Sequence, residues 1–162
     1  MSLGSNLGNR LEYLRAAVRA LDRGPSMELR VASQAYETAP VDVEPWQPDY
    51  LNCVVEIWCG IPAIELLRYC QGVEAALGRE RGEAGEKAPR TLDIDVLLFG
   101  DEAIEGPDLE VPHRGVARTF NLVGLADLDQ GLYIPGRGRV GELLAGADRG
   151  GIQAFGRVEE LC

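Results

Sequence analysis

Residues 89–99 constrain the fold and the chemistry of this chain more than any other stretch. They read Pro-Arg-Thr-Leu-Asp-Ile-Asp-Val-Leu-Leu-Phe, and their β-branched and large apolar residues predict a buried strand. Because side chains alternate between the two faces of a strand, Asp93 and Asp95 share one face, with their Cα atoms about 7 Å apart. The segment therefore predicts two neighbouring carboxylates within otherwise apolar sequence.

Two carboxylates this close repel each other, and burying them is unfavourable unless a cation compensates their charge. A divalent cation bound by carboxylate oxygens, typically Mg²⁺ shared with a phosphate substrate, would supply that compensation. The alternative is a strand whose polar face lies at the surface, where water solvates both side chains. The Asp-x-Asp spacing alone is compatible with either interpretation.

Arginines precede the two aspartates. Arg90 lies just before them, and Arg79 and Arg81 lie in a glycine-rich, charged stretch that ends at Ala88. That stretch can bury little apolar surface, so it predicts a mobile loop able to close over a site. Guanidinium groups suit phosphate oxygens, and the combination predicts a phosphoryl-transfer site. The alternative is a solvated linker, since 15 of the 16 basic residues of the chain are arginine.

Length and charge limit the classes of protein to consider. With 162 residues the chain fits one domain, residues 1–162, that buries about 70% of the surface of its unfolded form. The net charge of −10 argues against non-specific binding of nucleic acid, because phosphates would be repelled over most of the surface. The sequence shows no charged leader and no apolar span of about 18 residues, so we expect neither secretion nor membrane insertion.

The cysteines indicate a reducing compartment. They lack the C-x-x-C spacing and lie in or near apolar runs, at Cys53, Cys59, Cys70 and Cys162. We therefore expect reduced packing residues in a cytoplasmic protein.

Hydrophobic periodicity and turn residues predict interleaved helices and strands. The predicted helices cover residues 9–22, 62–77, 115–127 and 140–146. The predicted strands cover residues 28–38, 51–59, 89–99 and 132–134, and a further strand at the start of the chain ends near Leu3. This order predicts an α+β fold with a sheet and helices packed on its faces.

Five blocks of sequence, in unbroken order between about residue 3 and residue 135, carry a resemblance to a known family. They are Leu3-Gly-Ser-Asn-Leu-Gly8, Tyr36-Glu-Thr-Ala-Pro-Val41, Gln47-Pro-Asp-Tyr-Leu-Asn52, residues 89–99, and Val111-Pro-His113 followed by Arg118 and Phe120. Together they resemble the 6-hydroxymethyl-7,8-dihydropterin pyrophosphokinases of folate biosynthesis. The resemblance implies a ferredoxin-like three-layer sandwich, in which helices flank a mainly antiparallel sheet. It also implies transfer of the pyrophosphoryl group of ATP to the hydroxymethyl group of a reduced pterin, with release of AMP.

The resemblance also implies roles for individual residues. The implied catalytic residues are Arg79, Arg81, Arg90, Asp93 and Asp95, and the two aspartates would bind two Mg²⁺ ions. The residues implied at the ATP site are Gln71, Glu74, Arg90, His113 and Arg118. The residues implied at the pterin site are Thr38, Val41, Tyr50, Asn52 and Phe120. The implied partners are ATP and the reduced pterin, and we expect a monomer that binds neither nucleic acid nor a membrane.

Several of these residues have a structural alternative. Gln71 and Glu74 could form a solvated helix face. His113, which is the only histidine of the chain, could be structural. Tyr50 and Phe120 could be ordinary core or surface aromatics.

The chain departs from the family pattern before the aspartates, where Lys87-Ala88 replaces the usual Trp-Gly. Two other functional classes stay open on the sequence. One is a nucleotidyl transferase, which also uses paired carboxylates and two metal ions. The other is a non-catalytic module that senses a nucleotide or a metal ion.

Overall fold

The computed structural model describes residues 1–40, 47–79 and 89–158. Its helices are α1 (Arg10–Asp22), α2 (Ala63–Ala76), α3 (Thr119–Leu128) and α4 (Val140–Ala145). Its strands are β1 (Ser2–Ser5), β2 (Met27–Ala32), β3 (Gln34–Thr38), β4 (Tyr50–Cys59), β5 (Asp93–Asp95), β6 (Ile104–Glu105), β7 (Glu110–Val111), β8 (Tyr133–Ile134), β9 (Gly138–Arg139) and β10 (Ile152–Arg157).

The main sheet has six strands in the order β10-β3-β4-β1-β5, with β2 paired to the second half of β4. Every pairing is antiparallel. β6 pairs with β7 and β8 with β9 in two small separate sheets. Among the described residues β5 pairs with β1 alone, so it is an edge strand of this sheet.

Helices cover both faces of this sheet and bury two hydrophobic cores. Cys53 belongs to the core formed with α1 and α2, whereas the next residue, Val54, belongs to the core formed with α3 and α4. This division follows from the alternation of side chains along β4. α3 approaches the strand so closely that a Cβ at Gly124 would lie 2.5 Å from Val54 Cγ2. The α+β, three-layer architecture predicted for the chain is confirmed.

The prediction of one continuous strand over residues 28–38 is wrong, because Ser33 separates β2 from β3. The Ser33 hydroxyl accepts the Val54 N–H at 2.9 Å and donates to the Gln34 carbonyl at 2.7 Å. These bonds fix a break in the strand opposite the middle of β4. The two halves of the segment then pair with different parts of β4.

The predicted strand over residues 89–99 is too long, since β5 has only three residues. The expected alternation of burial holds from Leu92 to Val96 and ends at Leu97, which is also fully buried. The pairing with β1 ends where Ser2 faces Asp95. The Leu97 carbonyl instead accepts the N–H of His113 at 2.9 Å.

The four predicted helices are present, with ends shifted by a few residues, whereas β10 was not predicted. Cys53 and Cys70 are buried and Cys59 is half-buried, and all three thiols are free, as expected. Cys162 lies outside the described residues. In the part of the chain that the structure describes, no helix is both long enough and apolar enough to span a membrane.

Candidate active site

A row of aligned residues across three strands forms the base of the candidate site. Gly4 of β1 lies opposite Asn52 of β4 on one side and opposite Asp93 of β5 on the other. Residues in register share a sheet face, so Asn52 and Asp93 face the same side, about 10 Å apart. A Cβ at Gly4 would lie 2.8 Å from Asn52 Oδ1, so glycine leaves this space to the amide.

Two arginines compensate the charge of Asp93. Arg79 Nη1 lies 2.5 Å from Asp93 Oδ1, and Arg90 Nη1 lies 2.8 Å from Asp93 Oδ2. Arg79 also forms an ion pair with Glu74. Burial opposes the charge of Arg79, but the carboxylates of Asp93 and Glu74 outweigh it and raise the pKa of the guanidinium. The structure therefore brings the aspartate and these two predicted arginines together.

Glu74 makes bonds that neither interpretation of the sequence predicted. Its side chain is 3% exposed, so the solvated-face alternative is wrong for this residue. The carboxylate accepts the backbone N–H of Ile94 at 2.8 Å. Because β5 is an edge strand, this bond satisfies a donor that has no sheet partner. Glu74 thus joins the end of α2 to the centre of β5 and holds Arg79 beside Asp93.

Asp95 lies on the same face as Asp93, two residues further along β5. Burial raises the pKa of Asp95, the charge of Asp93 adds to this increase, and His113 and Arg118 oppose it. His113 Nε2 lies 3.8 Å from Asp95 Oδ1. His113 and Arg118, both predicted at the ATP site, therefore lie on the Asp95 side of the carboxylate pair.

The turn that carries His113 and Arg118 is built around Gly115. Its N–H donates to His113 Nδ1 at 3.1 Å, and its carbonyl accepts the Arg118 N–H at 3.0 Å. A Cβ at this position would lie 3.2 Å from His113 Nδ1 and 3.3 Å from Arg118 Nε. Glycine therefore permits the two side chains to pass close to the turn.

Three of the predicted pterin residues, Thr38, Tyr50 and Asn52, lie on the same sheet face. Asn52 Nδ2 donates to Thr38 Oγ1 at 2.8 Å, and both side chains are buried. Tyr50 pairs with Thr38 in register and lies over Gly4, with its Cδ1 3.8 Å from a Cβ built there. Phe120 is half-buried in the first turn of α3, the helix that packs on this face.

Three further predictions have a simpler outcome. Gln71 is half-buried on α2, one turn before Glu74. Val41 and Arg81 lie outside the described residues, so their roles stay predictions.

The structure adds Asn6, to which the sequence interpretation gave no role. Its Oδ1 accepts the Arg90 N–H at 2.8 Å, and its Nδ2 donates to Gln47 Oε1 at 3.1 Å and to the Pro48 carbonyl at 3.4 Å. Asn6 is buried at the end of β1. A short polar residue directly after a buried strand was the available signal, because such residues often bond neighbouring backbone.

The donor set fits a Mg²⁺ ion that arrives with a phosphate ligand. Among residues 1–40, 47–79 and 89–158, no three His, Cys, Asp or Glu side chains converge as a metal site. Mg²⁺ commonly takes one or two carboxylates and completes its shell with water and substrate phosphate. Asp93 and Asp95 would supply two carboxylates to such a shell, and Arg79 and Arg90, which pair with Asp93 here, would favour an anion beside it.

Comparisons with known proteins agree on one family. The sequence model of the family described as 7,8-dihydro-6-hydroxymethylpterin-pyrophosphokinase matches residues 1–130. The 2-amino-4-hydroxy-6-hydroxymethyldihydropteridine pyrophosphokinase of Bacillus subtilis is 43% identical over 131 residues, which cover 80% of this chain and 77% of the relative. The enzymes with the same name from Pseudomonas aeruginosa and Haemophilus influenzae are 37% and 35% identical, over 94% and 89% of this chain and 93% and 89% of the relatives. The chain therefore belongs to the 7,8-dihydro-6-hydroxymethylpterin-pyrophosphokinase family.

Proposed function

We propose that this chain transfers the pyrophosphoryl group of ATP to 6-hydroxymethyl-7,8-dihydropterin and releases AMP, as a step of folate biosynthesis. One observation supports the proposal in addition to family membership. A single sheet face presents a charged group suited to a metal-bound nucleotide and a neutral amide with an aromatic ring suited to a pterin. The carboxylate pair of Asp93 and Asp95 stands with arginines at the edge of the sheet. The buried amide of Asn52 stands on the other side of Gly4, beside Tyr50.

The proposed reaction forms one P–O bond and breaks another. The hydroxymethyl oxygen of the pterin attacks the β-phosphorus of ATP, and the bond from that phosphorus to the α,β-bridging oxygen breaks. AMP leaves with the bridging oxygen, and the hydroxyl proton is released. Asp93 and Asp95 would hold two Mg²⁺ ions, whose charge offsets that of the phosphates and favours an in-line arrangement.

Charged side chains of the chain itself would bind the nucleotide. Arg90 and Arg79 lie beside Asp93 and provide guanidinium donors for phosphate oxygens. His113 and Arg118 lie beyond Asp95 and would contact the phosphates or the ribose. Glu74 would act through Arg79, since its carboxylate is already bound to backbone and guanidinium.

The pterin would occupy a slot formed by Tyr50, Asn52 and Phe120. Its flat ring needs aromatic surfaces on its faces and hydrogen-bonding groups at its edge. We assign the faces to Tyr50 and Phe120 and the edge to Asn52, whose amide is held by Thr38. Held in this way, the ring would present its hydroxymethyl group to the nucleotide bound at the carboxylate pair.

The wider setting of the activity follows from the same interpretation. We propose a single domain over residues 1–162 that acts as a cytoplasmic monomer. Its partners would be ATP and the reduced pterin, without nucleic acid or a membrane. Arg81 and Val41 keep their proposed roles in catalysis and in the pterin site.

Product analysis by ³¹P NMR tests this function. With ATP, Mg²⁺ and 6-hydroxymethyl-dihydropterin, we expect AMP and a pterin diphosphate in equal amounts, with no free pyrophosphate. A nucleotidyl transferase would release pyrophosphate and attach AMP to its acceptor. A sensing module would leave ATP intact. Either of these two results would overturn the proposal.

A further inference from the structure

Asn121 is an amide side chain in the buried part of α3. It occupies the third residue of the helix and is 2% exposed, between the half-buried Phe120 and the buried Leu122. Its Nδ2 donates to the Gly115 carbonyl at 2.9 Å, while its Oδ1 is buried without a partner among the residues that the structure describes. Burying an amide is unfavourable unless its bonds are made, so packing alone would favour an apolar residue here.

The bond from Asn121 ends on the residue that orients His113. The Gly115 carbonyl accepts two donors, the side-chain amide of Asn121 at 2.9 Å and the backbone N–H of Arg118 at 3.0 Å. Glycine has the widest conformational freedom of any residue, so bonds to its carbonyl are needed to fix its orientation. Asn121 thus restrains the peptide whose N–H contacts the imidazole.

The Gly115 N–H in turn fixes which imidazole nitrogen carries the proton. A backbone N–H can only donate, so His113 Nδ1, 3.1 Å away, must be the acceptor. In the neutral ring the proton then lies on Nε2, the nitrogen that is 3.8 Å from Asp95 Oδ1. The imidazole therefore presents an N–H donor toward the carboxylate pair.

We propose that Asn121 is a positioning residue that acts through Gly115 to hold His113 as an Nε2–H donor facing the nucleotide side of the site. The inference rests on the proposed function, in which His113 contacts the nucleotide. Asn121 itself does not touch the reacting groups in this arrangement. Its effect is to reduce the orientations and tautomers of His113 before ATP binds.

The single histidine of the chain makes the tautomer directly measurable. In protein labelled with ¹⁵N-histidine, long-range ¹H–¹⁵N spectra of the neutral ring should show the Nε2–H form alone. Asn121→Leu keeps the branching at Cγ and removes the donor to Gly115. We expect this variant to show a mixture of tautomers, a several-fold rise in the KM for ATP, and a smaller change in kcat.

A matched control separates this role from helix packing. Leu125 is buried in the same core, one turn further along α3, and has no bond to the turn. Leu125→Ala should lower Tm while leaving the tautomer and the KM for ATP unchanged. Asn121→Gln, which keeps an amide donor, should restore part of the wild-type tautomer.

Gly115→Ala provides a second variant should Asn121→Leu fail to fold. Its Cβ would lie 3.2 Å from His113 Nδ1, so the ring must shift, and the tautomer should become mixed. A pure Nε2–H signal in both variants, or a tautomer change in Leu125→Ala equal to that in Asn121→Leu, would overturn the inference. The spectra do not require the enzyme to turn over. If the wild-type protein formed no AMP, the proposed function would be contradicted, but the comparison of His113 tautomers between wild type and variants could still be made.

Discussion

Asn6 Oδ1 accepts the backbone N–H of Arg90 at 2.8 Å, and the backbone N–H of Asn6 donates to the Arg90 carbonyl at 3.1 Å. The amide of the same side chain donates to Gln47 and to the Pro48 carbonyl. One buried residue at the end of β1 therefore joins the segment entering β4 to the segment entering β5. The first leads into Tyr50 and Asn52, and the second carries Arg90 and leads into Asp93 and Asp95.

Asn6→Ala should lower both stability and affinity for ATP. The Arg90 N–H loses its buried acceptor, which we expect to cost about 1–3 kcal/mol of unfolding free energy. Arg90 should also lose its fixed position beside Asp93, so the Kd for Mg²⁺-ATP should rise. Urea denaturation and calorimetric titration measure the two effects.

Asn9 gives the matched control for this substitution. Its side chain also accepts a backbone N–H, that of Glu12 at 3.3 Å, but this bond lies at the N-terminus of α1 and does not involve Arg90. Asn9→Ala should cost about 1 kcal/mol of stability and leave the Kd for ATP unchanged. Equal effects of both substitutions on the Kd would show that Asn6 acts only through stability.

Glu74→Ala should be strongly destabilising, because it leaves the Ile94 N–H and the Arg79 guanidinium without their buried acceptor. We expect a loss of about 3 kcal/mol of unfolding free energy. Glu74→Gln retains an acceptor for Ile94 and should lose less. The exposed Glu65, in the first turn of the same helix, serves as control, and its replacement by Ala should cost less than about 1 kcal/mol. A loss for Glu74→Ala no greater than that for Glu65→Ala would contradict the buried role.

The aromatic residues of the pterin slot should affect one ligand selectively. Tyr50→Ala or Phe120→Ala should weaken pterin binding by about 1–3 kcal/mol through lost stacking and burial, with little change for ATP. Tyr133, an exposed aromatic on β8, provides a control that should affect neither ligand. Separate titrations with each ligand test this, and equal losses for pterin and ATP would make the two rings structural.

The buried thiols predict how stability changes with pH. Burial raises the pKa of the Cys53 and Cys70 thiols to about 12, from an ordinary value of 9.0. Because the folded-state pKa is the higher one, the contribution to stability is complete below about pH 9 and is lost as pH rises toward 12. Urea denaturation should show a steeper fall in unfolding free energy between about pH 9 and pH 12 for wild type than for a variant with Ala at both positions. Parallel pH profiles would contradict the prediction.

The sequence was most informative where periodicity is local. The alternation from Leu92 to Val96 placed both aspartates on one face correctly, because a period of two depends only on neighbouring residues. The end of β5 could not be predicted in the same way, since it depends on pairing with a strand about 90 residues earlier in the chain, with Ser2 and Asp95 as the last pair. The break at Ser33 likewise depends on bonds to a strand about 20 residues away.

The sequence did not predict the hydrogen bonds that side chains of the site make to distant segments of the chain. Asn6 and Arg90 are 84 positions apart, and the bond between them leaves no periodic signal. The sequence predicts Glu74 as a site residue, but its bond to β5 could be expected only once β5 is known to be an edge strand. The polar residue types were therefore visible in the sequence, whereas their partners required the fold.

The proposed function requires that Asp93 and Asp95 together carry pyrophosphoryl transfer to the pterin. Its most direct test is the single-turnover rate of pterin-dependent AMP formation for wild type, Asp93→Ala and Asp95→Ala, each shown by circular dichroism to be folded. We predict rapid AMP formation by wild type and a loss of several orders of magnitude in both variants, because both carboxylates act on the metal-bound phosphates. A folded variant of either aspartate with near-wild-type AMP formation would contradict the claim.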